Sequence, residues 1–268
     1  MNEPILDTLS SYGSKIKLEK GVYLNIKHSR QAPGYFYLLE EGICDYYVIP
    51  SAELSAEFTG RGIPAEKLLP FGIPVNRKFT LSFSQQEARK RLGLPEKGLC
   101  CLLAGGSIGA GSIPQAADIL RSFLAGEENG TLVILCGKRR GLYERLCKKY
   151  QADRRVLVLE STPRMAEYMR ACDIFLTKPG GLSSTEAAVS GVPLILLSPI
   201  PGCETHNAAW FSSHRMALTA EHPQTDLLSA LTSMQNVHGL KEEMLQAQRT
   251  YVNPNSTRDL CDFAERLL

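Results

Sequence analysis

The sequence lacks the patterns that mark several specialised classes of protein. It has eight cysteines, but none forms a C-x-x-C pair and no histidine–cysteine cluster has zinc spacing. No apolar run is long enough to cross a bilayer, and the amino terminus has no basic segment followed by an apolar one. We therefore expect a cytoplasmic protein with reduced thiols, no bound metal and no other cofactor.

Charge of one sign is also scarce. The net charge is only +2, and no run of like charges or interleaved stacking aromatics occurs. The sequence therefore predicts no nucleic-acid partner. Apolar and charged contents of 44% and 22% are ordinary for a globular protein, and 268 residues can form one large or two small domains.

Strand and helix patterns alternate from about residue 98 onward. Each predicted strand is a short, continuous apolar run, which is typical of a strand buried on both faces. The predicted strands are 99–104, 132–136, 156–159, 173–177, 193–197 and, at an edge, 216–219. Helical patterns separate them, so we predict an α/β fold: a Rossmann-like parallel sheet with helices on both faces.

Three distinctive loops follow predicted strands, at residues 105–111, 178–186 and 199–207. The carboxyl ends of parallel strands meet at one edge of a sheet, where open α/β sheets bind ligands. Glycines let the backbone approach an anion, and helix N-termini attract one. The loops therefore predict a phosphate-bearing ligand, although the spacing differs from the G-x-G-x-x-G pattern of dinucleotide sites. The alternative is a set of tight turns without a ligand.

Four blocks together resemble the donor-binding half of glycosyltransferase family 28, in its monogalactosyldiacylglycerol synthase and diacylglycerol glucosyltransferase branch. The blocks are 44–50 with 62–64 and 71–75, then 105–111, 178–186 and 199–207. The resemblance implies half of a two-domain GT-B-type enzyme. Such enzymes transfer a hexose from a UDP-sugar to a lipid acceptor, here of diacylglycerol type, with inversion and without a protein-bound metal.

The resemblance also implies a domain division. Residues 1–44 look like a remnant of the acceptor domain, with a helical piece over 22–37, because family members have a much longer segment there. Residues 45–97 would form an interdomain strand, helix and connector, and residues 98–268 the UDP-sugar-binding domain. We expect the chain to be the donor-binding domain of a UDP-sugar-dependent hexosyltransferase. The alternatives are an enzyme that works with a separate acceptor-binding subunit and a non-catalytic sugar-nucleotide binder. A UDP-sugar epimerase is a weaker alternative.

Donor-binding roles follow from the resemblance, residue by residue, while no catalytic residue is assigned. The diphosphate would lie on two glycine loops, with Gly105, Gly106, Ser107 and Gly109 in the first and Gly180, Gly181, Leu182 and Ser183 in the second. The uracil would contact the backbone near Thr162, and the ribose would contact Glu186. The hexose would lie beside the last loop, at Cys203, Glu204 and Asn207.

The two acidic residues among them, Glu186 and Glu204, could also have a purely structural role in place of a ligand contact. Ser183 and Glu186 also match a capping box, with Ser183 as the N-cap of a helix. Glu204 could be an ordinary acid in a first helical turn, where it complements the helix dipole. His206 lies beside it, and we interpret that histidine as a bystander rather than a base.

Basic and apolar residues interleave near the amino terminus. Lys15, Lys17, Lys20, Lys27 and Arg30 alternate with apolar side chains. Such a segment can lie on an anionic membrane, which would suit a lipid acceptor and a peripheral position at the inner face of the cell membrane. The alternative is a fragment of the acceptor domain whose apolar face has lost its cover.

Overall fold

The structure, a computed structural model, describes residues 14–17, 23–26, 44–106 and 112–267. Within these ranges the strands are β1 Ser14–Lys17, β2 Tyr23–Ile26, β3 Tyr46–Val48, β4 Leu68–Leu69, β5 Cys100–Ala104, β6 Thr131–Leu135, β7 Val156–Leu159, β8 Ile174–Thr177, β9 Leu194–Leu197 and β10 Leu218–Ala220. The helices are α1 Ser55–Thr59, α2 Gln85–Leu92, α3 Ile113–Phe123, α4 Arg140–Tyr150, α5 Met165–Ala171, α6 Gly181–Ser190, α7 Cys203–Ser213, α8 Pro223–Asn236, α9 Leu240–Tyr251 and α10 Ser256–Leu267. No helix in this part of the chain is both long and apolar enough to span a membrane.

The larger sheet has six parallel strands in the order β10-β9-β8-β5-β6-β7. Strands β5, β6, β8 and β9 are buried along their whole length, because helices cover the sheet. Burial on both faces explains why their sequences are continuous apolar runs instead of alternating ones. The predicted parallel sheet is confirmed, including the edge position of β10.

The winding of this sheet reverses between β5 and β8. The chain passes from β5 through β6 to β7 on one side, and then returns to place β8 on the other side of β5. At such a point the two loops leave in opposite directions and open a crevice at the carboxyl ends of the strands. The last residues of the two strands, Ala104 and Thr177, are paired, so Gly105 and Lys178 emerge side by side.

A smaller, four-stranded sheet has the order β1-β2-β3-β4, with only the first pair antiparallel. The helical expectation for 22–37 is therefore wrong over Tyr23–Ile26, whose backbone pairs with Tyr46–Val48 in a parallel ladder. The remainder of that interval lies outside the described residues. Of the basic segment, Lys15 and Lys17 lie in β1, and its other basic residues are outside the described ranges.

The C-terminal helix packs on the smaller sheet. Leu260 and Ala264 of α10 join Val48 and Leu69 in a buried cluster, flanked by the Phe263 ring. Three side-chain hydrogen bonds also tie the start of α10 to the connector: Asn253 to the Phe71 carbonyl at 2.8 Å, Ser256 to Ile73 at 2.8 Å and Thr257 to Val75 at 2.6 Å. Helix α10 is thus packed on the smaller sheet and hydrogen-bonded to the connector, and the predicted domain boundaries stay a prediction.

Helix α2 is fixed to the amino edge of the larger sheet, opposite the crevice. It begins with a complete capping box formed by Ser84 and Glu87. Its Arg89 is 3% exposed and donates to Asp173 at 2.7 Å and to the carbonyls of residues 96, 98 and 171. Asp173 also accepts from the Cys100 N–H at 2.7 Å, so the buried guanidinium and its carboxylate are both satisfied.

We expect Arg89→Met to lower the free energy of unfolding by about 2–4 kcal/mol, because it leaves Asp173 without its counter-charge and three carbonyls without this donor. Urea denaturation measures the change. Lys90→Met is the matched control, since Lys90 is the exposed neighbour and its substitution should shift stability by no more than about 0.5 kcal/mol. Equal effects of the two substitutions would contradict the assigned role of Arg89.

Candidate functional site

Glycine residues line the crevice between β5 and β8. Gly106 has φ +69°, a left-handed conformation that favours glycine. A Cβ atom at this position would lie 2.9 Å from Cε of Lys178. Gly106 therefore lets the lysine side chain cross the end of β5 in close contact. The other residues predicted in this loop, Ser107 and Gly109, lie outside the described residues.

Helix α6 starts at this crevice without a side-chain cap. Gly180 is its N-cap and Gly181 its first residue, so the expected N-cap at Ser183 is three residues too late. The first turn closes when the Ser184 N–H donates to the Gly180 carbonyl at 3.0 Å. The N–H groups of Gly181, Leu182 and Ser183 have no acceptor among the described residues. Together with the helix dipole, these free donors form a site suited to an anion.

The earlier start of α6 removes the capping-box explanation of Glu186. Ser183 is the third helical residue and Glu186 the sixth, and no side-chain cap is present. Glu186 is half-buried, and its carboxyl makes no hydrogen bond or ion pair with any residue in the described part. Burial raises its pKa to about 7, while Lys78 opposes the shift. A partly buried carboxyl without a partner is typical of a functional site.

Glu204 is the second residue of α7, as the sequence predicts, but it is more than an ordinary first-turn acid. Glu204 is 6% exposed, and its Oε1 is ion-paired with Nζ of Lys178. Its Oε2 accepts from the Ile200 N–H at 2.9 Å. The carboxylate thus joins the loop after β8 to the loop after β9.

Asn207 makes a second link between the same loops. It is 4% exposed, and its Nδ2 donates to the Pro179 carbonyl at 3.0 Å. The backbone of Cys203 begins α7, and the Cys203 side chain lies outside the described part of the structure. The exposed His206 ring contacts the Gly202 carbonyl at 3.0 Å, one turn back on its own helix. That local contact fits a bystander.

Most of the described residues predicted for the site do converge. The crevice collects residues from the ends of β5 and β8 and from the starts of α6 and α7: Gly105, Gly106, Gly180, Gly181, Leu182, Ser183, Glu204 and Asn207. Thr162 follows β7, two strands away from β5, and its Oγ1 accepts from the Arg164 N–H at 3.0 Å. Its assignment to a uracil pocket stays a prediction.

The sequence analysis missed Lys178 as a site residue. It belongs to the distinctive loop after the fourth predicted strand, and a lysine directly after a buried strand, before Pro-Gly-Gly, was the available signal. Among the described residues, no group of three or more acidic, histidine or cysteine side chains is arranged to hold a metal. Burial raises the pKa of the Cys100 thiol to about 12, so this thiol stays protonated at neutral pH.

The glycosyltransferase family 28 C-terminal domain matches residues 100–254, which is more than half of the chain. The chain belongs to glycosyltransferase family 28. The processive diacylglycerol beta-glucosyltransferase of Staphylococcus saprophyticus is 29% identical to this family 28 chain over 217 residues, covering 80% of the chain and 54% of that protein. The Staphylococcus aureus protein of the same name is 28% identical over 220 residues, covering 81% and 56%. This family 28 chain thus spans about half the length of the curated relatives it matches.

Solved structures show the same fold for the family 28 chain. MurG of Acinetobacter baumannii superposes with a TM-score of 0.59 at 20% identity, covering 91% of this chain and 66% of MurG. The UDP-GlcNAc 2-epimerase of Neisseria meningitidis gives a TM-score of 0.66 at 12% identity, covering 88% and 67%. The predicted Rossmann-like half of a GT-B-type fold is therefore confirmed.

The pKa of Glu186 predicts a pH-dependent stability. A carboxyl whose pKa rises from 4.5 to about 7 on folding binds more protons in the folded state, so stability falls as the pH rises through that interval. We expect the unfolding free energy of the wild type to fall by about 2–3 kcal/mol relative to Glu186→Gln between pH 4.5 and pH 8. Urea denaturation across this range measures the difference, and parallel curves would show that Glu186 titrates normally.

Proposed function

We propose that the crevice binds the UDP moiety of a UDP-sugar, and that the chain supplies the donor-binding half of an inverting hexosyltransferase. The observation that carries this proposal is the placement of the uncapped start of α6, with its free N–H groups, at the winding reversal between β5 and β8. The diacylglycerol beta-glucosyltransferases among its relatives support a glucosyl donor and a diacylglycerol-type acceptor.

The diphosphate would lie over Gly105 and Gly106 and against the first turn of α6. Gly106 has no Cβ atom, so it adds no side chain of its own between the backbone and an anion. The free N–H groups of Gly181, Leu182 and Ser183 would donate to phosphate oxygens, and the positive end of the helix dipole favours the same charge. Ser107 and Gly109 complete the proposed loop.

The ribose would contact Glu186. This residue lies five positions after Gly181, which is about 7–8 Å further along the helix axis. A diphosphate at the helix start would place the nucleoside over this next turn. Both ribose hydroxyls could then donate to the Glu186 carboxylate, and that contact requires its deprotonated form. Thr162 would contribute backbone contacts to the uracil, and Cys203, Glu204 and Asn207 would surround the hexose.

We expect Glu186→Gln to weaken UDP binding by one to two orders of magnitude, because hydrogen bonds to a charged acceptor contribute roughly 1.5–3 kcal/mol. Near pH 7 about half of the wild-type carboxyl is protonated, so UDP binding should also release a fraction of a proton. Calorimetry in two buffers of different ionisation enthalpy measures both the affinity and the proton release.

Glu144→Gln is the matched control for this experiment. Glu144 lies on the exposed face of α4, where its carboxylate pairs with Arg140. It should leave the affinity and the proton release unchanged. If Glu186→Gln binds UDP as tightly as the wild type, the carboxylate does not bind the ribose. If the wild type does not bind UDP at all, the donor-binding function itself is wrong.

Transfer to a lipid requires an acceptor-binding half. We propose that this half comes from a longer polypeptide or from a separate subunit, and that transfer takes place at the cytoplasmic face of the membrane, with the basic segment around Lys15 and Lys17 touching anionic lipid. Mixing the chain with radiolabelled UDP-glucose and diacylglycerol vesicles tests this. We expect lipid-linked glucose only when an acceptor-binding half is added, whereas transfer by the chain alone would contradict the division.

A further inference from the structure

The Lys178–Glu204 ion pair lies beside the anion site. A Cβ atom on Gly180, the N-cap of α6, would lie 3.8 Å from Lys178 Nζ and 4.0 Å from Glu204 Oε1. The stem of the lysine rests on Gly106, the other glycine of the crevice. A cation and a carboxylate therefore stand between the two backbone segments that would hold a diphosphate, and the carboxylate is beside the positive end of α6.

Neither charge has an easy alternative partner in this arrangement. The Lys178 and Glu204 side chains are 17% and 8% exposed, so water solvates each of them poorly. A charge that is withdrawn from water is stable only when a counter-charge is close, and each residue supplies it for the other. Glu204 thus provides, at the start of α6, the negative charge that this position favours.

A diphosphate would change this balance. It carries several negative charges and would compete with Glu204 for the same lysine and for the same helix start. Two anions beside one another repel, so the carboxylate becomes unfavourable as soon as phosphate oxygens occupy the crevice. The Glu204 carboxylate can leave Lys178 while Oε2 stays on the Ile200 N–H, because the two contacts use different oxygens.

We infer that the Lys178–Glu204 pair is an exchangeable ion pair that senses the donor, an inference that rests on the proposed UDP-sugar site. The diphosphate takes over Lys178 as its counter-ion, and the released Oε1 of Glu204 accepts hydroxyls of the hexose. The hydrogen bond from Asn207 to Pro179 holds α7 against the loop after β8, so the exchange needs only side-chain rotation. Lys178 is then a donor-binding residue, and hexose recognition depends on diphosphate binding.

A double-mutant cycle tests the exchange. The proteins are the wild type, Lys178→Met, Glu204→Gln and the double variant, with UDP and UDP-glucose as ligands and calorimetry as the measurement. Methionine keeps an unbranched stem against Gly106, and glutamine keeps an acceptor for the Ile200 N–H, so both substitutions preserve the local packing. Thermal unfolding of each variant verifies that it is folded.

The exchange predicts effects of opposite sign. Lys178→Met should weaken UDP binding roughly 10- to 100-fold, because the diphosphate loses its counter-ion. Glu204→Gln should tighten UDP binding about three- to tenfold, because the competitor for the lysine is gone. In the Lys178→Met background only the repulsion between Glu204 and the diphosphate remains, so Glu204→Gln should change UDP binding by a different factor than it does with the lysine present. The wild type should gain affinity from the glucose of UDP-glucose, and Glu204→Gln should lose most of that gain.

Other outcomes overturn the inference. If Glu204→Gln weakens UDP binding as Lys178→Met does, the pair stays intact in the complex and only shapes the crevice. Additive effects in the cycle would also exclude competition for the lysine. Should Lys178→Met fail to fold, the sign of the Glu204→Gln effect alone decides the matter.

The controls separate this inference from the proposed function. Lys149→Met and Asp118→Asn remove a lysine–aspartate pair between α4 and α3, whose side chains are 45% and 50% exposed. They should leave UDP affinity unchanged. A wild type that binds no UDP would refute the donor site itself. A wild type that binds UDP with no change in either site variant would refute the exchange alone.

Discussion

The pairing of β5 with β8 is the constraint on which the site depends. Both strands are buried throughout, so neither can end or shift without exposing apolar surface or leaving backbone groups unpaired. Their register ends at Ala104 and Thr177, and the following loops must therefore leave the sheet together. Because the winding reverses at this pair, Gly105 and Gly106, the loop after β8 and the start of α6 lie together at the crevice.

The polar groups at the two edges of the larger sheet differ in whether they have hydrogen-bond partners. At the amino edge, Arg89, Asp173 and the Cys100 N–H satisfy one another, so that edge contributes stability. At the carboxyl edge, the first N–H groups of α6 are free and Glu186 has no partner among the described residues. The free energy gained by burying the strands offsets the cost of leaving these polar groups without partners. Proteins commonly carry such unpaired groups at functional sites.

Segments outside the larger sheet are also held near the crevice. Glu53, which precedes α1, accepts from the Trp210 indole N–H at 2.8 Å and contacts the His214 ring at 2.9 Å. Trp210 and His214 belong to the end of α7, the helix whose first turns carry Glu204 and Asn207. The connector is tied in turn to α10 through the hydrogen bonds around Ser256. The smaller sheet is thus coupled to the donor side through α7 and α10.

The sequence by itself determined the strands of the larger sheet and their parallel direction, because short apolar runs, glycines and prolines act locally. The ligand-binding edge that it indicates stays a prediction. The sequence did not determine that residues 23–26 form a strand, since only pairing with β3 makes them one. The local pattern Ser183-x-x-Glu186 suggested a cap, but the fold begins the helix at Gly181 and gives the carboxyl a raised pKa through burial. Only the tertiary structure joined Lys178 to Glu204, because a contact between residues 26 positions apart depends on how two strands and two helix starts converge.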